Sequence, residues 1–131
     1  MKTYRLAMRM ANRYRMDEVQ EAITRVVKRT LSTGGYNAAI ERFVLISEHS
    51  APFSDDEIMA EFSWICRQMS HPNGDELKPF GSHWDLVSGV MEGRAHVWQQ
   101  QGTSVSAVTF RRFNIPATLR NRVLLAVRRH M

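Results

Sequence analysis

Apolar residues recur with a helical period along most of the chain. The cleanest run lies in residues 17–31. There Val19, Ala22, Ile23, Val26, Val27 and Leu31 stand at i, i+3, i+4, i+7, i+8 and i+12, one face of a helix. Its acids, Asp17, Glu18 and Glu21, come early and its bases, Arg25, Lys28 and Arg29, come late, the order the helix dipole favours. Residues 3–13 predict a preceding helix, joined to it by a tight corner. Leu6, Ala7, Met10, Ala11 and Tyr14 form its apolar face, with Arg5, Arg9 and Arg13 on another. Like charges four residues apart repel, so acids elsewhere in the chain or a partner are expected to relieve that stripe.

Ser32-Thr33-Gly34-Gly35 is a loop by composition. Gly34 or Gly35 suits the left-handed residue that ends a helix, and Asn37 suits the cap of the next. A third helix over residues 38–49 carries Ala39, Ile40, Phe43, Val44, Leu45 and Ile46, an arc wide enough to place it centrally. After the break at Ser50-Ala51-Pro52-Phe53, Ser54 and Glu57 match a capping box. That box opens a fourth helix reaching about Met69, with Ile58, Phe62, Ile65, Cys66 and Met69 inward.

Ser70-His71-Pro72-Asn73-Gly74 is the strongest turn signal, followed by a short helical turn over residues 75–80. A fifth helix over residues 83–100 carries Trp84, Val87, Met91 and Trp98 on its stripe. Gly89 and Gly93 inside it each cost about 1 kcal/mol relative to alanine, so either the helix bends or a neighbouring backbone comes close. Residues 102–113 read as irregular. Pro116 then opens a last helix, with Leu119, Val123, Ala126 and Val127 inward. The whole pattern predicts a single all-α domain, a compact bundle of five to six helices packed around the second and third. Ile23, Val26, Val27, Ile40, Phe43 and Phe62 are expected to be buried together.

The composition agrees with this picture. At 131 residues a chain buries roughly two thirds of its extended surface. A content of 44% hydrophobic and 24% charged residues belongs to a globular protein. No apolar run approaches the ~20 residues of a membrane span, so no membrane partner is expected. Arg9, Asn12, Arg13 and Arg15 interrupt any apolar region of a signal peptide. One cysteine, Cys66, excludes an internal disulfide framework, and an intracellular, reducing environment is the expectation.

Charge is unevenly distributed, and this changes the picture more. Residues 1–33 hold eight bases and three acids, residues 34–101 four bases and ten acids, and residues 102–131 six bases and no acid. The plainer reading is that the basic ends dock on the acidic middle, within the chain or between copies. The sharper one is a surface for nucleic acid or another polyanion. The candidate partner- or polyanion-binding residues are Arg5, Arg9, Arg13, Arg111, Arg112, Arg120, Arg122, Arg128 and Arg129. No recognised DNA- or RNA-binding signature accompanies them.

Catalytic patterns are missing. The chain has no G-x-S-x-G, no G-x-x-x-x-G-K, no G-x-G-x-x-G and no His-Glu-x-x-His. Zinc asks for four ligands, commonly in two close pairs, whereas Cys66 and His71 have no second pair beside them. Cys66 reads as a buried structural thiol, and Asp55 and Asp56, being adjacent, do not converge. No catalytic residue, metal or cofactor is expected.

Leu6-Ala7-Met8-Arg9-Met10-Ala11-Asn12-Arg13-Tyr14-Arg15-Met16-Asp17-Glu18-Val19 resembles the helix pair that closes the fold of BTB/POZ proteins, with Ala11, Tyr14, Met16 and Val19 carrying the match. Asp75-Glu76-Leu77-Lys78-Pro79-Phe80 and the Trp84-to-Trp98 helix are similar to the helical region that follows in such proteins. The strands through which that family dimerises have no counterpart in the resemblance. What it implies is protein–protein interaction and scaffolding, with no catalytic residue to carry over. Residues and resemblance together predict a non-enzymatic interaction module, oligomeric if its charged regions pair between copies. A small basic nucleic-acid-binding regulator is the alternative.

Overall fold

The computed structural model describes residues 2–67, 84–101 and 115–129. Among them are six helices and no strand: α1 (Lys2–Arg13), α2 (Asp17–Thr30), α3 (Tyr36–Glu48), α4 (Asp55–Arg67), α5 (Trp84–Gln101) and α6 (Ala117–Arg129). The fold is the all-α bundle that the periodicity predicts. The turn expected at 70–74, the helical turn at 75–80, the irregular stretch at 102–113 and Met69 lie outside the described residues, as do Arg111 and Arg112.

The helix at the centre is α3. It packs against α4, α1 and α6, whereas α2 packs chiefly on α1. From Arg42 to Ser47 every residue of α3 is buried, including four consecutive apolar side chains. A helix apolar nearly all round must be enclosed. The single stripe of α2 needs only one covered side. Its Ile23 and Val27 are buried, Val19, Val26 and Leu31 half-buried, and Ala22 exposed. The expectation of α2 as joint centre and close neighbour of α3 is therefore corrected. Five of the six residues predicted to be buried together, Ile23, Val27, Ile40, Phe43 and Phe62, do share the core. Within it the Phe43 and Phe62 rings lie 6.1 Å apart, tilted by 43°.

The predicted capping box is present. Glu57 N–H donates to Ser54 Oγ (3.1 Å), and Ser54 N–H donates to Glu57 Oε1 (2.9 Å). Gly34 is left-handed (φ 76°) in the α2–α3 loop, but the left-handed residue directly after the C-cap of α2, Leu31, is Ser32 (φ 57°) and not the expected glycine. Gly35, not Asn37, precedes α3 as its cap residue.

On α5 the inward residues are Leu86, Val87 and Val90. Trp84, expected on the inward stripe, is 76% exposed, and Met91 also faces solvent. The two glycines admit side chains, not a neighbouring backbone. A Cβ at Gly93 would sit 2.4 Å from Cys66 Sγ and 3.0 Å from Phe62 Cζ, and one at Gly89 3.1 Å from Val123 Cγ2. The close approach of α4 and α6 to α5 thus depends on both residues lacking a side chain. Burial raises the Cys66 thiol far above its ordinary value, against the opposing charges of Arg94 and Arg67, as suits a structural thiol.

A buried ion pair, not anticipated from the pattern, ties α3, α4 and the α2–α3 loop together. Arg42 Nε donates to Glu61 Oε1 (2.8 Å), and Arg42 Nη2 donates to the Thr33 carbonyl (2.7 Å). Ser32 N–H donates to Glu61 Oε2 (2.8 Å). Both charged residues are almost wholly enclosed. Burial raises the Glu61 carboxyl above its ordinary value, against the pull of the Arg42 guanidinium and the Ser32 amide.

Candidate interaction surface

The first helix is set by its arginines. Arg5 Nη1 donates to Glu41 Oε2 (2.6 Å), and its Nε lies 3.8 Å from Glu48. Arg9 grips Glu48 with two bonds, Nε to Oε2 (2.9 Å) and Nη2 to Oε1 (2.6 Å). This bidentate geometry is the strong form of an arginine–carboxylate contact. The hydrogen bond to Glu48 raises the Arg9 pKa still further. Burial would push Glu48 up, but the Arg9 hydrogen bond and the charges of Arg9 and Arg5 outweigh it and hold the carboxyl below its ordinary value.

These pairs turn α1 about its axis. Met8 and Ala11 go inside, with Ala7 half-buried beside them. Leu6, Met10 and Tyr14, expected to face the core, are 55%, 59% and 62% exposed. The reason is geometric. Arg5 and Arg9 reach the carboxylates of α3 only from one side of α1, and the i, i+4, i+8 row of Leu6, Met10 and Tyr14 lies on another. Met16, in the corner after α1, is also exposed. The result is a helix with one thin apolar seam inward and a second apolar row outward.

The corner holds this arrangement. Met16 N–H donates to the Ala11 carbonyl (2.8 Å) and Arg15 N–H to the Asn12 carbonyl (3.4 Å), the bond pattern of a Schellman motif. Its left-handed position is taken by Arg15, with φ 54°. Glycine is the usual occupant, because a Cβ there costs about 1–2 kcal/mol. The Gln20 side-chain amide donates to the Ala11 carbonyl (3.0 Å) and ties α2 to the same turn.

The other candidate arginines sit apart from this face. On α6, Arg128 donates to the carbonyls of Ser50 (2.6 Å) and Phe53 (2.9 Å) and to Asp55 (3.0 Å). Arg122 pairs with Glu92. Arg120 lies 3.9 Å from Asp56 and Arg129 3.8 Å from Asp85. So Arg5, Arg9, Arg120, Arg122, Arg128 and Arg129 all meet carboxylates of the acidic middle of the same chain. Arg13 does not: its guanidinium lies over the Tyr14 ring, 5.7 Å from the centroid. Among the described residues no carboxylate pairs with Arg13 or with Arg15. Pairwise sequence logic proposed the arginines, but it could not separate those closed within the chain from those left facing out. It also missed Leu6, Met10, Tyr14 and Met16 as a surface, because apolar periodicity reports a face without saying what covers it.

A groove of about 830 Å³ runs beside α1, between α2 and the α3–α4 corner. Its α2 wall carries Asp17 and Glu21 at one end and Arg25 and Lys28 at the other, so it has no charge of one sign. Lys28 is further engaged by Glu57 (3.3 Å). Among the described residues no group of three or more His, Cys, Asp or Glu converges on a metal-sized point, and no helix is long and apolar enough to cross a membrane.

Comparison of the chain with protein-family models, curated proteins and solved structures finds no match, and so nothing there bears on the BTB/POZ resemblance.

Proposed function

We propose that the protein is a non-enzymatic interaction module and that α1 presents its docking surface. One observation carries the reading: Leu6, Met10 and Tyr14 form an outward apolar row on a helix whose other side is already seated on α3. Single exposed apolar residues are common on any protein, but an aligned row of three large ones bordered by arginine is the composition of an interface. Tyrosine and arginine are the residues most often responsible for binding energy, and methionine adapts to the shape of a partner. The BTB/POZ resemblance of this same stretch points to the same class. Association through the complementary charged regions has less support, because those charges already meet within the chain. The nucleic-acid reading is weakened likewise, since most of its candidate arginines hold carboxylates.

The test is photo-crosslinking from position 10 in cells of the source organism. Protein adducts that form in the parent and vanish when Tyr14 is replaced by Asp support the module. Absence of row-dependent adducts, or adducts made of nucleic acid, would reject it.

A further inference from the structure

We infer that the partner presented to this face is an acidic amphipathic helix, laid along α1 with its apolar side on Leu6, Met10 and Tyr14. The inference rests on the interaction-module reading and names the chemistry of its partner. Charge complementarity carries it. No acid occurs anywhere in α1. Arg9 and Arg13 run along one edge of the row, three residues on from Leu6 and Met10. Arg9 keeps half of its side chain exposed while it holds Glu48. Arg13 and Arg15 stand beyond it, and among the described residues no carboxylate pairs with either. Two unmatched guanidiniums at the end of an apolar row ask for carboxylates that flank apolar residues. A helix supplies those at i, i+4 and i+7, with acids on the adjoining positions. The row spans about 12 Å of helix axis, roughly two turns of such a ligand.

Other occupants fit less well. A second α1 would bring the same arginines against these ones, and like charges across an interface are unfavourable. The exposed apolar residues of α5, Trp84 and Met91, come with carboxylates that α6 already holds, Asp85 through Arg129 and Glu92 through Arg122. On α2 the exposed acids Glu18 and Glu21 accompany only Ala22 as an exposed apolar neighbour. An anionic membrane is recognised by clusters of about four to eight bases, more than the two unpaired arginines at this row.

The experiment uses the full chain and fluorescent synthetic peptides with Leu at i, i+4 and i+7 and Glu on the flanking positions, read by anisotropy. A matched peptide carries Lys in place of Glu. The Glu peptide binds and the Lys peptide does not. Raising NaCl weakens the complex, because rim charges are screened. Met10→Asp and Arg13→Glu each lower affinity by roughly tenfold or more, the scale of a central interface residue. Both positions lie outside the core, and unchanged helical dichroism verifies that the variants fold. Several results would overturn the inference: equal binding of the Lys peptide, binding indifferent to Met10→Asp, co-sedimentation with phosphatidylserine vesicles lost in Met10→Asp, or self-association of the chain through the row. If the Glu peptides fail while crosslinking from position 10 still yields row-dependent protein adducts, the acidic-helix inference falls and the module reading stands.

Discussion

Arg15 shows how one residue can serve a surface at the expense of its own backbone. It holds a left-handed conformation at the end of α1, where a side chain costs about 1–2 kcal/mol and glycine nothing comparable. Arg15→Gly is therefore expected to stabilise the protein by about 1 kcal/mol, less whatever the freer unfolded chain gives back. A thermal melt should shift upward by a few degrees. The same variant should bind acidic peptides more weakly, since it removes a guanidinium that no carboxylate among the described residues holds. His49 is a second residue with a measurable signature. Burial lowers its pKa from the usual 6.5; the Glu48 charge opposes this and the Arg9 charge adds to it. The folded state thus prefers the neutral imidazole, and the unfolded chain takes up the proton first. The stability contributed is fully present above the unfolded value near 6.5 and is lost as pH falls from there through the folded value. Glu48 and Glu57, whose folded values are lowered, contribute stability present above the usual carboxylate value of 4.5 and lost as pH falls through the folded values. Denaturant midpoints measured across this range should begin to fall below about pH 6.5 in the parent, by linkage to the histidine. In His49→Gln they should stay level until the carboxylate range.

Among the elements, α3 and α4 are joined by a buried ion pair, Arg42–Glu61, set among apolar core side chains. Removing one partner leaves the other charged and unmatched, so Glu61→Leu should cost about 3–5 kcal/mol. Replacing both, as Arg42→Met with Glu61→Leu, should recover part of that loss. Full recovery is not expected, because the Ser32 amide and the Thr33 carbonyl lose their partners as well. Urea unfolding of the two single variants and the double one checks the coupling. This pair also marks how far the sequence can be read. Ile58, Glu61, Phe62 and Ile65 follow i, i+3, i+4 and i+7, so Glu61 fell on the apolar stripe of α4, and a carboxylate there already asks for a buried partner. The identity of that partner, nineteen residues away, is a tertiary fact. Elements, caps and most inward faces were legible because each is decided within two or three turns of chain. Residues 55–67 and 117–129 show this, with Phe62, Ile65, Val123 and Val127 all where their period puts them. The orientation of α1 was not legible. Its seam inward, Met8 with Ala11, is poorer in apolar residues than its row outward, so period alone placed Ala7 and Ala11 correctly but chose Leu6, Met10 and Tyr14 over Met8. Arg5 and Arg9, bonding to α3, decided it.

At the scale of the molecule, the basic ends close on the acidic middle, but the two ends are held differently. Helix α6 buries Leu119, Val123, Leu124, Ala126 and Val127. Its ion pairs are mostly long or exposed, as at Arg120–Asp56 and Arg129–Asp85. Pairs of that kind are worth about 0–1 kcal/mol. Helix α1 buries little beyond Met8 and Ala11, so Arg5 and Arg9, bonded at short range to Glu41 and Glu48, carry a larger share of its attachment. Screening should separate the two cases. In about 1 M NaCl the Debye length falls to about 3 Å, from about 10 Å at 0.1 M, and the contacts of α1 weaken while those of α6, being apolar, do not. Amide exchange followed by mass spectrometry should then show α1 opening faster in high salt, with α6 and α3 unchanged. Exchanging the partners, as Arg9→Glu with Glu48→Arg, should restore much of the protection that either single change removes. Equal loosening of α1 and α6 would mean that ions, not buried area, hold both ends. An α1 indifferent to salt would mean that Met8 and Ala11 suffice, and that the outward orientation of Leu6, Met10 and Tyr14 has another cause than the pull of α3 on Arg5 and Arg9.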